Sequence, residues 1–237
     1  MRRVRIAAVA DLHVTEGTAP AVGEMFKPLA GEADALLLGG DLSTMGRATE
    51  IAVLCEVLAR LELPKAAVLG NHDHESNQGP EIVRLLEDAG VRVLDGTVAV
   101  FPLDGRTLGV AGVKGFCGGF PPHIVRGFGE RALKEFVGQT VHEAEKLRGA
   151  LARLTADVRV ALLHYAPVRD TLGAEPPEIH PFLGSSLLAE VVDAMRVDAV
   201  FHGHAHLGSP FARTAGGIPV YNVSMPVTRR PYVVVTL

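Results

Sequence analysis

Val4-Arg5-Ile6-Ala7-Ala8-Val9-Ala10, followed at once by Asp11-Leu12-His13, is the stretch on which the fold turns. Its almost unbroken apolar run reads as a strand buried on both faces, as strands of a parallel sheet are. The next residues change character abruptly to two side chains able to ligate a metal. The pattern recurs along the chain. Ala35–Leu38 runs into Gly39-Gly40-Asp41, and Ala66–Leu69 into Gly70-Asn71-His72-Asp73. Val158–Leu163 ends at His164, and Ala199–Phe201 leads into His202-Gly203-His204-Ala205-His206. In α/β sheets the carboxyl ends of strands are where sites assemble, because the loops there converge on one crevice.

Working outward, further strands are expected at Val98–Phe101, Leu108–Ala111, Pro219–Asn222 and Tyr232–Thr236. Helical spacing is clear within Arg47–Arg60, where Ile51, Leu54, Cys55 and Leu58 share a face, and within Pro80–Ala89, where Ile82, Leu85, Leu86 and Ala89 do. Helices are also expected at Ala21–Ala30, Glu130–Leu154 and Ser185–Met195. Strands alternating with helices define an α/β domain. Two segments are irregular: the glycine-rich Gly112–Gly129, and Ala166–Gly184 with Pro167, Pro176, Pro177 and Pro181. Long loops in a compact domain tend to be functional, so both are candidate substrate walls.

A chain of 237 residues that is 48% hydrophobic can bury one substantial core, so residues 1–237 are read as a single domain. Net charge is -4 and the lysines and arginines are scattered, which argues against a nucleic-acid-binding groove. Cys55 and Cys117 lie far apart without C-x-x-C spacing, which argues against a disulfide framework or a thiolate zinc site. Met1-Arg2-Arg3 before an apolar run ending Ala8-Val9-Ala10 imitates a short signal peptide. Cleavage there would remove the strand in front of Asp11, so the segment is taken as structural and the protein as cytoplasmic. No run approaches the roughly 20 apolar residues of a membrane-spanning helix.

Carboxylate oxygen, imidazole nitrogen and Asn amide oxygen, without thiolate, suit Mn, Fe, Co, Ni or Zn in an open catalytic geometry. Two such cations about 3.5–4 Å apart form the clamp used for in-line displacement at phosphorus. Each piece alone is a common turn or strand-end residue; five in the right order at strand ends are not a coincidence of composition. Together, Asp11-x-His13, Gly40-Asp41, Gly70-Asn71-His72-Asp73, His164 and Gly203-His204-x-His206 resemble the full signature of the calcineurin-like metallophosphoesterases. The resemblance implies a four-layer α/β sandwich, with two facing mixed β-sheets flanked by helices. It implies two divalent or trivalent metal ions: Asp11, His13, Asp41 and His206 on one, Asp41, Asn71, His164 and His204 on the other, with Asp41 bridging. It further implies that a two-metal-activated hydroxide attacks phosphorus while His72 protonates the leaving oxygen or stabilises the phosphoryl charge. The expected substrate is a small phosphate ester, a phosphodiester slightly favoured over a monoester.

Two departures refine this. The family often reads G-D-x-x-D-x-G where this chain has Gly40-Asp41-Leu42-Ser43-Thr44-Met45-Gly46, so Thr44 stands in place of the acid that orients the catalytic His. Either the Thr44 hydroxyl positions the His72 ring, or Asp73 or Glu75 takes that part. Met45 occupies the position of the phosphate-gripping Arg of the serine/threonine protein phosphatases, which argues against that activity. Outside the ligand set, His202 is expected to pack behind the site, and His74, His123, Arg126 and His180 rank lowest as substrate contacts. Two rival functions share the fold: a scaffold without catalysis, which erodes ligands this chain keeps, and a nuclease, which needs a basic groove or cap this chain lacks.

Overall fold

The computed structural model describes residues 3–237, so Met1 and Arg2 of the basic start lie outside the described residues. In chain order the strands are β1 (Arg5–Val9), β2 (Ala35–Gly39), β3 (Lys65–Val68), β4 (Val91–Val93), β5 (Thr97–Leu103), β6 (Arg106–Val113), β7 (Gly119–Phe120), β8 (His123–Ile124), β9 (Val158–Leu163), β10 (Ala199–His202), β11 (Phe211–Arg213), β12 (Pro219–Asn222) and β13 (Val233–Thr236). The helices are α1 (Ala19–Met25), α2 (Ala48–Leu58), α3 (Gly79–Asp88), α4 (Arg131–Arg153), α5 (His180–Leu183), α6 (Ser186–Met195) and α7 (Met225–Thr228).

Two large sheets form. One has the order β13-β1-β2-β3-β4, the other β11-β12-β10-β9-β6-β5. The pairs β1–β2, β2–β3 and β3–β4 are parallel, with β13 antiparallel at the edge. In the second sheet β6–β9, β9–β10 and β10–β12 are parallel, with β5 and β11 antiparallel at either edge. Both sheets are therefore mixed, as expected.

Side-chain alternation along each strand builds the layers. Ile6, Ala8, Leu37 and Val68 meet Val110, Val158, Val160, Leu162 and Phe201 in a core between the sheets. Ala7, Val9, Leu36 and Leu38 point the other way, against Val22, Phe26, Ile51, Leu54, Ile82 and Leu86 of α1–α3 and the turn after α1. Ala111, Ala161, Leu163 and Val200 do the same for α4 and α6 through Leu147, Leu151, Leu188 and Val192. The result is helix, sheet, sheet, helix. No helix among the described residues is long and apolar enough to cross a membrane.

The differences from expectation are local. The helix expected at Ala21–Ala30 stops at Met25 and gives way to a 3-10 turn over Lys27–Leu29, because Pro28 cannot donate to an α-helical ladder and biases Lys27 away from it. Strands β4 and β11, with three residues each, are too short to show a period. The two irregular segments contain the β7–β8 hairpin and the short α5. Phe201 is fully buried between the sheets and stacks on Tyr221 with centroids 5.5 Å apart. Phe201→Ala should lower the unfolding free energy by about 3–5 kcal/mol in urea denaturation; a loss below about 1 kcal/mol would mean that the sheets do not pack through this ring.

Candidate functional site

Parallel pairing points β1, β2 and β3 the same way, and β9 and β10 do likewise in the facing sheet. Where these ends meet, the Gly203 N–H donates to the His164 carbonyl at 3.1 Å within one sheet, and the His164 ring Nδ1 reaches across to the Gly39 carbonyl of the other at 2.9 Å. All seven residues expected as metal ligands arrive here. Asp11, His13 and His206 bring one donor atom each within 4.8 Å of one another, and so do Asp41, His164 and His204. The Asn71 amide oxygen lies 2.9 Å from His164 Nε2.

Asp41 sits between the two groups. Its Oδ2 is 3.9 Å from His13 Nε2, while its Oδ1 is 3.4 Å from His164 Nε2. Oδ1 also accepts the His72 backbone N–H at 2.8 Å. Asp11 accepts the His204 backbone N–H at 3.0 and 3.1 Å on its two oxygens and lies 3.1 Å from His206 Nε2. Burial pushes the Asp11 carboxyl up, but the hydrogen bond from His206 and the field of His164 and His206 outweigh it and hold the group at about 2. Burial holds His13 below the ordinary imidazole value, and burial with His164 nearby takes His204 down to about 3. His206 moves upward through its hydrogen bond to Asp11.

Tight packing sets this geometry. Asp11, His13, Asp41 and His204 have φ of 58°, 45°, 49° and 70°, four of the seven non-glycine residues with positive φ among the described residues. Each costs about 1–2 kcal/mol relative to a right-handed conformation; such strain concentrates where the surroundings fix a functional geometry. A Cβ on Gly70 would lie 2.1 Å from Asp41 Oδ1, and one on Gly203 would lie 2.4 Å from Asp11 Oδ2. Only glycine lets either carboxylate take its place.

The donor set fits cations. A carbonyl oxygen can only accept, so His164 Nδ1 donates to Gly39, and Nε2 is the nitrogen turned toward Asn71 Oδ1 and Asp41 Oδ1. In the neutral form of the ring, the one that ligates, these facing atoms are all acceptors. His13 Nε2 is buried with no hydrogen-bond partner, an unusual state for a polar atom that a ligated ion would relieve.

His72 is within the same reach: its ligating atom lies within 4.8 Å of those of His13 and Asp41, and its ring is 4.7 Å from that of His13. What orients it is neither the Thr44 hydroxyl nor a carboxylate. His72 Nδ1 donates to the Thr44 backbone carbonyl at 2.8 Å, while the Thr44 hydroxyl donates to the His13 carbonyl at 2.7 Å. Asp73 is buried and accepts from the N–H groups of Leu42, Ser43 and Gly70 and from the Ser43 hydroxyl; it ties two ligand loops together. His202 is fully buried behind the site, with Nδ1 on the Gly203 carbonyl at 2.8 Å, and burial takes it down to about 4.

The lower-ranked residues separate. His74 is exposed on the His72–His74 turn. His123 and His180 face a small cavity beside Arg169, and His180 Nε2 meets the Glu175 carbonyl at 3.0 Å. Arg126 follows the β7–β8 hairpin and lines neither this cavity nor the ligand cluster. Tyr165, which the sequence reading passed over, places its ring 4.3 Å from that of His204. Its only sequence signal is its position immediately after His164.

A family description, calcineurin-like phosphoesterase, matches residues 4–208. No curated protein sequence matches the chain. Among solved structures, the chain is similar to a phosphopantetheinyl hydrolase from Mycobacterium tuberculosis, with TM-score 0.74 and 16% identity over 97% of this chain and 95% of that one. It is also similar to the protein TT1561 of Thermus thermophilus, with TM-score 0.59 and 19% identity over 93% and 89% of the two chains. A 5'-nucleotidase, described as putative, from Staphylococcus aureus gives TM-score 0.54 and 18% identity over 93% of this chain and 48% of that one. At these identities the likeness is one of fold. Gly70→Ala, which places a methyl against Asp41, should weaken metal uptake about 10–100-fold, the cost of disturbing a ligand's support, in equilibrium dialysis with Mn. Unchanged uptake would remove Asp41 from the metal set.

Proposed function

The chain belongs to the calcineurin-like phosphoesterases and is a phosphoric ester hydrolase, and on that premise we propose that it cleaves a small phosphodiester, in preference to a monoester, with two metal ions held by the strand-end cluster. The same reading takes residues 1–237 as a single domain. The observation that carries it is Asp41, whose two oxygens face different imidazoles, His13 and His164, as a carboxylate shared by two ions does. Asp11, His13, Asp41 and His206 would hold one ion, and Asp41, Asn71, His164 and His204 the other. When bound, the ions would generate a nucleophile from water at neutral pH and neutralise charge on the phosphoryl oxygens.

The chain's own groups do the rest. With only two carboxylates in the ligand set, Asp11 and Asp41, two divalent ions would leave the site net positive and so attractive to a phosphate anion. Burial keeps His13 and His204 neutral, the form that ligates. Because the Thr44 carbonyl only accepts, His72 keeps its proton on Nδ1, and Nε2 is the nitrogen that exchanges one with the leaving oxygen. A carbonyl in place of an aspartate fixes the ring without adding a full negative charge beside it. Met45, next to Thr44, is exposed. A diester carries one charge on its phosphate where a monoester carries up to two, so an apolar side chain at this position in place of a guanidinium suits the diester.

Purified protein with added Mn should hydrolyse bis-p-nitrophenyl phosphate with a higher kcat/KM than p-nitrophenyl phosphate. A chelator should abolish both activities and fresh Mn restore them. His72→Ala should lower kcat by about 10²–10⁴-fold, the range for a general acid. Absence of turnover with any divalent metal, despite bound metal, would sink this reading, and an unchanged kcat in His72→Ala would remove His72 from it.

A further inference from the structure

Beside the ligand cluster, on the same edge of the sandwich, lies a second cleft of about 590 Å³, within the size range of small-ligand sites. Leu69 follows β3, Leu94 follows β4 and Lys114 follows β6, so three strand ends floor and wall it. It adjoins the site on two sides. His74, on its rim, belongs to the turn that carries Asn71 and His72. The Lys114 carbonyl accepts the backbone N–H groups of both His164 and Tyr165 at 3.0 Å.

The two cations of this cleft are not equivalent. The Lys146 ammonium is neutralised by Glu143 at 2.9 Å and by Asp95. Lys114 is not: among the described residues its ammonium touches only the Gly115 carbonyl at 3.3 Å, with no carboxylate in ion-pair range. It stands 5.3 Å over the Phe116 ring and 5.1 Å over the Tyr165 ring, and Tyr165 in turn lies against His204. Glu143, the acid beside it, is committed to the Gly115 N–H, Gln139 and Lys146. Burial pulls Lys114 below the ordinary lysine value and outweighs the opposing field of Glu143, which lies beyond ion-pair range. A groove that is apolar along Leu69 and Leu94 and closes on an unpaired ammonium is built for an organic group ending in an anion.

We propose that this cleft is a subsite for the organic moiety of the phosphate ester, and that Lys114 selects substrates carrying a second anionic group, a phosphate or carboxylate, on that moiety. This rests on the phosphodiester reading above, because one phosphate of the substrate must occupy the ligand cluster while the second reaches Lys114.

Calorimetric titration of adenosine 5'-monophosphate and adenosine 3',5'-bisphosphate into the Mn-loaded protein tests it. The second phosphate should tighten binding about tenfold or more, as a charge-assisted contact does. The ratio of the two dissociation constants should fall below about 3 in Lys114→Gln and return in Lys114→Arg, with far-UV circular dichroism confirming that each variant is folded. A ratio near 1 in the wild type, or a full ratio in Lys114→Gln, overturns the proposal. Turnover of bis-p-nitrophenyl phosphate by the wild type is scored separately. Turnover with a ratio near 1 refutes the subsite alone, whereas a full ratio without turnover supports the cleft and refutes the diester reading.

Discussion

Two carboxylates, Asp11 and Asp41, are each only 1% exposed at the edge where the two sheets meet. An ion taken out of water costs several kcal/mol unless partners are arranged around it. Much of the local structure is that arrangement. Backbone N–H groups of His204 and His72 point at Asp11 and Asp41, and His206, His13 and His164 surround them. Gly70 and Gly203 stand where any Cβ would collide with a carboxylate oxygen. Even the left-handed backbone of four site residues is explained by the need to turn sharply out of a strand and aim a short side chain back at a shared point.

The sandwich makes such an arrangement possible. One sheet contributes the carboxylates, the Asn71 amide and the His13 imidazole from the ends of β1, β2 and β3, and the other contributes the imidazoles of His164, His204 and His206 from β9 and β10. Neither sheet holds both halves of the site. The core between them, from Ile6 and Leu37 to Val160 and Phe201, fixes how far apart the two halves stand. Asp73, accepting from two ligand loops, pins their spacing within one sheet. Packing and polar bonding are thus one mechanism at this edge, and the phosphoesterase chemistry of the family draws on both.

Around the ligand cluster, a backbone carbonyl holds His72, the exposed Met45 follows Thr44, and Lys114, without an ion pair among the described residues, lines the neighbouring cleft. On the proposed reading, the cluster grips the scissile phosphate and the cleft reads what is attached to it. Reaction and selectivity then reside on different strand ends of one edge.

Strand-end motifs were legible because their signal is local: an apolar run of period-free burial followed by Asp, His or Asn needs no knowledge of the rest of the chain. From Asp11 to His206 that rule located all seven residues that converge. The helical face of α2 was equally present in the letters, whereas only the packing divides Ala7 and Val9 from Ile6 and Ala8. Orientation was not. Thr44 offered a hydroxyl in the sequence, yet its carbonyl is what meets His72, because every residue carries a carbonyl and only the course of the backbone decides which one is aimed where. Tyr165 carried no signal of its own and Lys114 lay in a segment expected only as a substrate wall, since their roles depend on β6 and β9 lying side by side, a pairing between segments far apart in the chain. The sequence by itself determined which chemistry this chain can hold and on which strands; the tertiary structure alone decided which lone pairs face one another, because contact across two sheets is a property of packing and not of order along the chain.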